Sequence, residues 1–198
     1  MRTLFEVYLK LIGYDINYAG IELKQIQDLS VREFVQWQDN KKWEIAKYHY
    51  QHNQFYRDKI GKHFPDCWEY LTIMQKSDYQ ADLEYLLSKG YTRKNTYIAN
   101  TSGSSGHPFF FAKNKEAHAM TWALIKNRYS WHGLKLNSKQ ARFLGTPLET
   151  TSNMQEKIKN FIINRVLFPV FDLSDNILEI FLNKIKKTKF EYIYGYTN

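Results

Sequence analysis

The sequence predicts an α/β fold: a helical N-terminal region over residues 1–92, then alternating strands and helices over 93–198. Three observations carry this. Over the first ninety positions apolar residues recur at helical spacing, and two segments open with capping boxes. From Tyr97 onward, short aromatic-rich runs bounded by turn residues alternate with helical stretches. The 198 residues are 43% hydrophobic and 17% aromatic, enough to fill a packed core and to exclude a disordered chain.

Taken in order, Leu4, Val7, Tyr8 and Leu11 predict an amphipathic first helix, its apolar run broken by Glu6 and Lys10. Ser30-x-x-Glu33 is a capping box. Phe34 and Trp37 come next and lead into a second helical run with Trp43, Ala46 and Tyr50 on one face. Ser77-x-x-Gln80 predicts another helix, ended by Gly90. "TYIAN" and "PFFFAK" read as strands. Asn114 is placed to cap a long helix that buries Met120, Leu124 and Trp131 and ends at Gly133. "ARFLG" reads as a strand, and "RVLFPVFDL" as an extended edge segment because Pro169 removes a ladder donor. Ser174 opens a helix with Ile177, Leu178, Phe181, Leu182 and Ile185 on one face, and "FEYIYGY" is a last strand. The apolar faces of these last two elements predict an exposed hydrophobic patch and self-association.

No apolar run approaches the roughly 18 residues a membrane span needs. The lone Cys67 fits a reducing, cytoplasmic setting. The net charge of +8 is unevenly spread. Residues 1–100 carry fourteen basic and thirteen acidic side chains, and residues 101–198 fourteen and seven. A basic second half attracts phosphate-bearing partners.

That half opens on "YIANTSGSSGHPFFFAKN". Between two strands lie Thr101, Ser102, Gly103, Ser104, Ser105 and Gly106. Glycines let backbone N–H groups converge on an anion, and the hydroxyls add short donors. The spacing is neither a Walker A loop nor G-x-G-x-x-G. On spacing alone, a plain hairpin loop and a phosphate cradle are equally good readings. A cradle predicts partial exposure, with Gly103 or Gly106 at positive φ.

"TSGSSGHP" resembles the T-S-G-[ST]-[ST]-G-x-P phosphate loop of the adenylate-forming (AMP-binding) superfamily. "AKYHYQHNQFYRDKIG", "LTIMQKSDYQ" and "RYSWHGLKLNSK" are similar, in order, to segments of phenylacetate-CoA ligase-like proteins. "FDLSDNILEIFLNKIKKTKFEYIYGYTN" resembles the CapK-like branch found in polysaccharide gene clusters. The resemblance covers roughly residues 35 to 198. It implies a ligase that joins ATP, with Mg2+, to a small carboxylic acid, and passes the acyl group to an acceptor such as coenzyme A. It implies phosphate contacts from Thr101, Ser102, Gly103, Ser104, Ser105 and Gly106, and Pro108 fixing the loop's exit. His107 stands where many members carry Lys, Thr72 where they carry Pro, and Thr197-Asn198 where the CapK-like branch carries Pro-Ser. The chain reaches Asn198 before the family's adenine, ribose and lid motifs. It therefore resembles an N-terminal portion, with one wall of the site and no catalytic residue.

The remaining candidates are weaker. Tyr194, Gly195 and Tyr196 end a strand at the edge where α/β ligands bind, and form a candidate substrate pocket. His49 with His52, and His63 with Cys67, have helical spacing but no third metal ligand, so packed or solvated side chains are expected and no metal site. His118 is expected at the surface or in the core, and Trp122 and Trp131 in the core. Two other function classes compete with the ligase. A single-strand nucleic-acid binder is disfavoured by the absence of any recognition motif, so no nucleic-acid partner is expected. A non-catalytic module descended from the family would share every motif present.

Overall fold

A computed structural model describes residues 3–101, 109–144, 154–170 and 173–195. The fold is mixed α/β. Contacts group it into two compact units, Met1–Ile16 with Trp122–Asn198, and Asn17–Thr121. This grouping cuts across the 92/93 boundary that composition suggests. Among the described residues no helix is long and apolar enough to cross a membrane.

The Asn17–Thr121 unit holds most of α2 (Ile16–Gln27), α3 (Val31–His52), α4 (Gln54–Ile60), the single turn α5 (Leu83–Leu86), the hairpin β1 (Tyr97–Asn100) and β2 (Phe110–Lys113), and the start of α6 (Lys115–Ser130). The Ser30 box forms as predicted: the hydroxyl accepts from Glu33 N at 3.3 Å and the Glu33 carboxylate accepts from Ser30 N at 2.8 Å. This box opens one uninterrupted 22-residue helix that carries the whole run. Trp43 and Tyr50 lie on one face of it, with Phe64 6.0 and 5.1 Å away, and Ala46 is buried beside them.

The long helix expected between Ser77 and Gly90 does not form. Gln75 and Asp78, not Ser77 and Gln80, make the box, and it opens only a 3-10 turn. The physical reason is Asn53, 4% exposed. Its Oδ1 accepts from Tyr56 N at 2.9 Å and caps α4, while its Nδ2 donates to Leu86 O at 2.8 Å and to the Ser88 hydroxyl at 3.2 Å. Lys89 N donates to His52 O at 2.7 Å. Tertiary partners thus take the backbone groups that a continuing helix would use.

The other unit is built on a parallel sheet of order β4-β3-β5: β3 is Gln140–Leu144, β4 is Arg165–Pro169 and β5 is Tyr192–Gly195. Arg142 lies opposite Leu167 on one side and Tyr194 on the other. Pro169 ends an edge strand, as its missing donor requires. Helix α7 (Met154–Ile163) links β3 to β4, and α8 (Asp175–Lys187) links β4 to β5. They cover opposite faces. Ile162 and Ile163 of α7 join the cluster of Phe5, Leu9, Ile16 and Leu136. Phe181 of α8 packs edge-on against Phe168 at 5.0 Å, and Phe168 stacks on Phe143 at 4.6 Å. Asn164 joins α7 to β4 in one residue, at φ 59°. Its carbonyl accepts from Gln140 N at 3.1 Å and its Nδ2 donates to Asn137 O at 2.9 Å.

Two inward faces differ from expectation. In α1 (Leu4–Leu11) Phe5 and Leu9 are buried, whereas Leu4, Val7 and Leu11 are exposed. Glu6 faces inward too, 6% exposed. It pairs with Lys126 Nζ at 2.6 Å and accepts from Thr3 N at 2.6 Å. Burial works against its charge, but these bonds win and hold its carboxyl below the usual range. In α6 the buried positions are His118, Ala119 and Ala123, while Leu124, and Trp131 just past its end, are exposed. The buried side of this helix is lined by small residues, so a search for bulk finds the wrong side. Trp122 is in the core, edge-on to Phe5 at 4.9 Å. The last helix and strand expose apolar side chains as predicted: Leu178 and Leu182 of α8 and Ile193 of β5 face solvent.

Asn53→Ala is expected to cost roughly 2–4 kcal/mol, from a lost cap of about 1 kcal/mol and an unsatisfied buried carbonyl of about 1–3 kcal/mol. Asn53→Asp keeps the cap oxygen but turns a carboxylate toward Leu86 O, so it should do no better. Urea titration checks both; a loss below about 0.5 kcal/mol would show that Asn53 does not organise this unit.

Candidate functional site

The glycine-rich segment is the whole connection between β1 and β2, which pair antiparallel with Asn100 opposite Phe110. One further rung closes it. Thr101 N donates to Phe109 O at 3.1 Å, and Phe109 N donates to the Thr101 hydroxyl oxygen at 3.2 Å. Thr101 and Phe109 are therefore held together. Thr101 engages its hydroxyl oxygen in this clasp. Ser102, Gly103, Ser104, Ser105, Gly106, His107 and Pro108 lie outside the described residues, as does the expected positive φ.

The clasp is anchored in the core by aromatic contacts. Phe109 lies 6.1 Å from Tyr79, and Tyr79 lies 5.5 Å from Phe55, which is 5% exposed. Of the three consecutive phenylalanines, Phe110 points to solvent. Helix α6 starts directly after β2, with Asn114 Oδ1 accepting from Ala117 N at 2.8 Å. Gly133 closes the far end at φ 68°, where Leu134 N donates to Tyr129 O at 3.0 Å.

His118 fastens the hairpin to α6. Its ring stacks on Tyr97, centroids 3.7 Å apart and planes 16° from parallel. Tyr97 lies four residues before Thr101, about 13 Å along an extended strand. His118 therefore stands at the base of the hairpin rather than at the loop. Burial, and then the nearby Lys113 charge, push its pKa down to about 4. His49 is likewise packed, with Nδ1 3.1 Å from the Ser88 hydroxyl, and burial lowers its pKa. Among the described residues no three His, Cys, Asp or Glu side chains converge on one point.

The second candidate region is the C-terminal end of the sheet. The chain runs from β3 outward to β4 and then returns past β3 to β5, so its direction reverses between β3 and β5. Crevices at such reversals are where α/β sheets bind ligands. Tyr194 is there, 46% exposed, with the Arg142 guanidinium 4.8 Å from its ring centroid. Two residues back, Tyr192 and Tyr129 share a hydroxyl–hydroxyl hydrogen bond of 3.2 Å. Burial and that bond raise the Tyr192 pKa well above the usual phenol value, so it stays protonated. Gly195 lies against Phe143; an added Cβ would sit 3.4 Å from Phe143 Cβ and O. Tyr196 lies outside the described residues. Sequence reasoning did not single out Arg142. The available signal was a cation at the centre of the apolar strand "QARFL".

The chain matches no protein-family model, curated protein or solved structure. Any functional reading therefore rests on its own residues.

The His118 environment gives a pH dependence of known sign. The folded pKa of about 4 lies below the unfolded value of about 6.5. The unfolded chain binds the proton first, so the stabilisation is complete above about pH 6.5 and is lost as pH falls toward 4. The total is about 3 kcal/mol. Chemical denaturation at pH 7, 5.5 and 4.5 should show this slope, and His118→Phe should flatten it. An unchanged slope would place the titration elsewhere.

Proposed function

We propose that the glycine-rich connection is a phosphate cradle, and that the chain carries the phosphate-binding part of an ATP-dependent, acyl-adenylate-forming ligase of the phenylacetate-CoA ligase-like kind. One observation carries the reading: T-S-G-S-S-G-H-P forms the entire link between two antiparallel strands whose ends are clasped by Thr101 and Phe109. Thr101 and Phe109 fix the ends of the hairpin, and converging amides in a glycine-rich connection are suited to an anion. In the proposed reaction a carboxylate oxygen attacks the α-phosphorus of ATP and pyrophosphate leaves. The loop's amides and hydroxyls would hold the departing phosphates, largely by electrostatic stabilisation, with Mg2+ neutralising their charge. The basic excess of the second half supports a polyanionic ligand.

Thermal unfolding of the 198-residue chain with MgATP or pyrophosphate tests the cradle. At 100 times the Kd, binding should add about 2.7 kcal/mol of stability. Gly103→Val, which fills the cradle with a branched side chain, should remove that gain. It should also lower any carboxylate-dependent ATP–pyrophosphate exchange by about two orders of magnitude. No response in the unaltered chain, or an equal response in Gly103→Val, sinks the proposal. Salt-sensitive binding of single-stranded nucleic acid, indifferent to Gly103→Val, would favour the nucleic-acid alternative instead.

A further inference from the structure

Arg142 occupies the central strand of a parallel sheet, a position normally filled by an apolar residue because both faces are covered. Its Nε is sealed from solvent and makes no hydrogen bond. None of the ion pairs among the described residues includes it. The Arg142 charge also acts on the Tyr192 hydroxyl, as does that of Glu191, which is already engaged. Its carboxylate accepts from the Ser138 hydroxyl at 2.6 Å and from Lys139 N at 2.7 Å.

What Arg142 does have is the Tyr194 ring, 4.8 Å from Cζ. A ring face attracts a guanidinium and fixes its plane, but offers no acceptor in that plane for the N–H groups. A buried donor without an acceptor is costly, and one attached to a charge more so. The guanidinium lies where the strand order reverses, two residues before the end of β3 and opposite the half-exposed Tyr194. It is therefore charged, oriented, short of an acceptor and set at the strand-order reversal.

We propose that Arg142, backed by Tyr194, is the binding position for the oxyanion of a small molecule, a carboxylate or a phosphate, where the strand order reverses between β3 and β5. The planar fork of the guanidinium matches the paired oxygens of either group. This position lies wholly within the β3–β5 sheet and does not depend on the glycine-rich loop.

The test uses the full 198-residue chain carrying Gly103→Val, so that the loop cannot answer for phosphate. Sodium benzoate and sodium phosphate are titrated separately against sodium chloride of matched ionic strength. The readouts are the Nε–H resonance of Arg142, assigned by its loss in Arg142→Lys, and the Tm. The resonance should move saturably with at least one probe, and the Tm should rise with the same probe. A response to benzoate alone identifies a carboxylate as the ligand; a response to phosphate alone identifies a phosphate group. Arg142→Lys keeps the charge without the fork and should weaken the Tm response at least tenfold in probe concentration. Arg142→Met should abolish it, yet melt no lower than its parent when unliganded, because it replaces an unsatisfied donor with packing. No saturable movement with either probe overturns the proposal. So does an Arg142→Met chain that melts several degrees lower, because the guanidinium would then already be satisfied within the fold.

Discussion

Parallel pairing of β3 on both of its edges is the constraint that shapes the Trp122–Asn198 region. A strand with parallel neighbours on each side cannot be reached by tight turns, so the chain must cross over twice. The two crossovers, α7 and α8, lie on opposite faces and bury Ala141 at 0% and Phe168 at 1% exposure. The same double crossing makes the strand order reverse at β3. The register places Arg142 and Tyr194 side by side across that reversal. Core and candidate site are thus products of one pairing pattern.

The Asn17–Thr121 unit solves a different problem. It contains one two-stranded hairpin, which is marginal by itself. Stability has to come from side chains reaching out of the helices. Asn53 does this for the α4 and α5 region, His118 for the base of the hairpin, and Phe55 with Tyr79 for its neck. Each is a buried or half-buried group whose polar or aromatic contacts replace absent strand neighbours. The glycine-rich connection can then be long and small in side chains without loosening its ends.

The element types were largely legible from the sequence; the inward faces were less so. Strands β1, β2, β3 and β5, the Ser30 box, the Asn114 cap and the Gly133 stop are set by local chemistry, which acts within a few residues. The faces of α1 and α6 are not. Glu6 looks like a break in an apolar stripe until Lys126, 120 positions later, neutralises it. Ala119 and Ala123 carry too little apolar surface to outweigh Leu124 and Trp131 in any periodic count, yet they are the residues that are buried. The helix expected before Gly90 was lost to Asn53, a partner more than thirty residues away. At the candidate site, the small-residue segment and Tyr194 could be picked out. Arg142 could not, because its significance lies in what surrounds it.

Asn164 shows how little chain is needed to turn a helix into a strand. The residue holds a backbone twist that L side chains other than asparagine and aspartate resist, and glycine alone takes it freely. Glycine would meet the twist but not the bond to Asn137 O, and aspartate would meet it with an acceptor where a donor is required. Asparagine alone satisfies both. Its carbonyl also sets the first rung between Gln140 and Arg165. A slip of one residue there would turn Phe168 away from Phe143 and bring Leu167 into its place. Tolerance to substitution should therefore be narrowest not at a bulky core position but at this small polar residue, which acts as the indexing pin of the sheet.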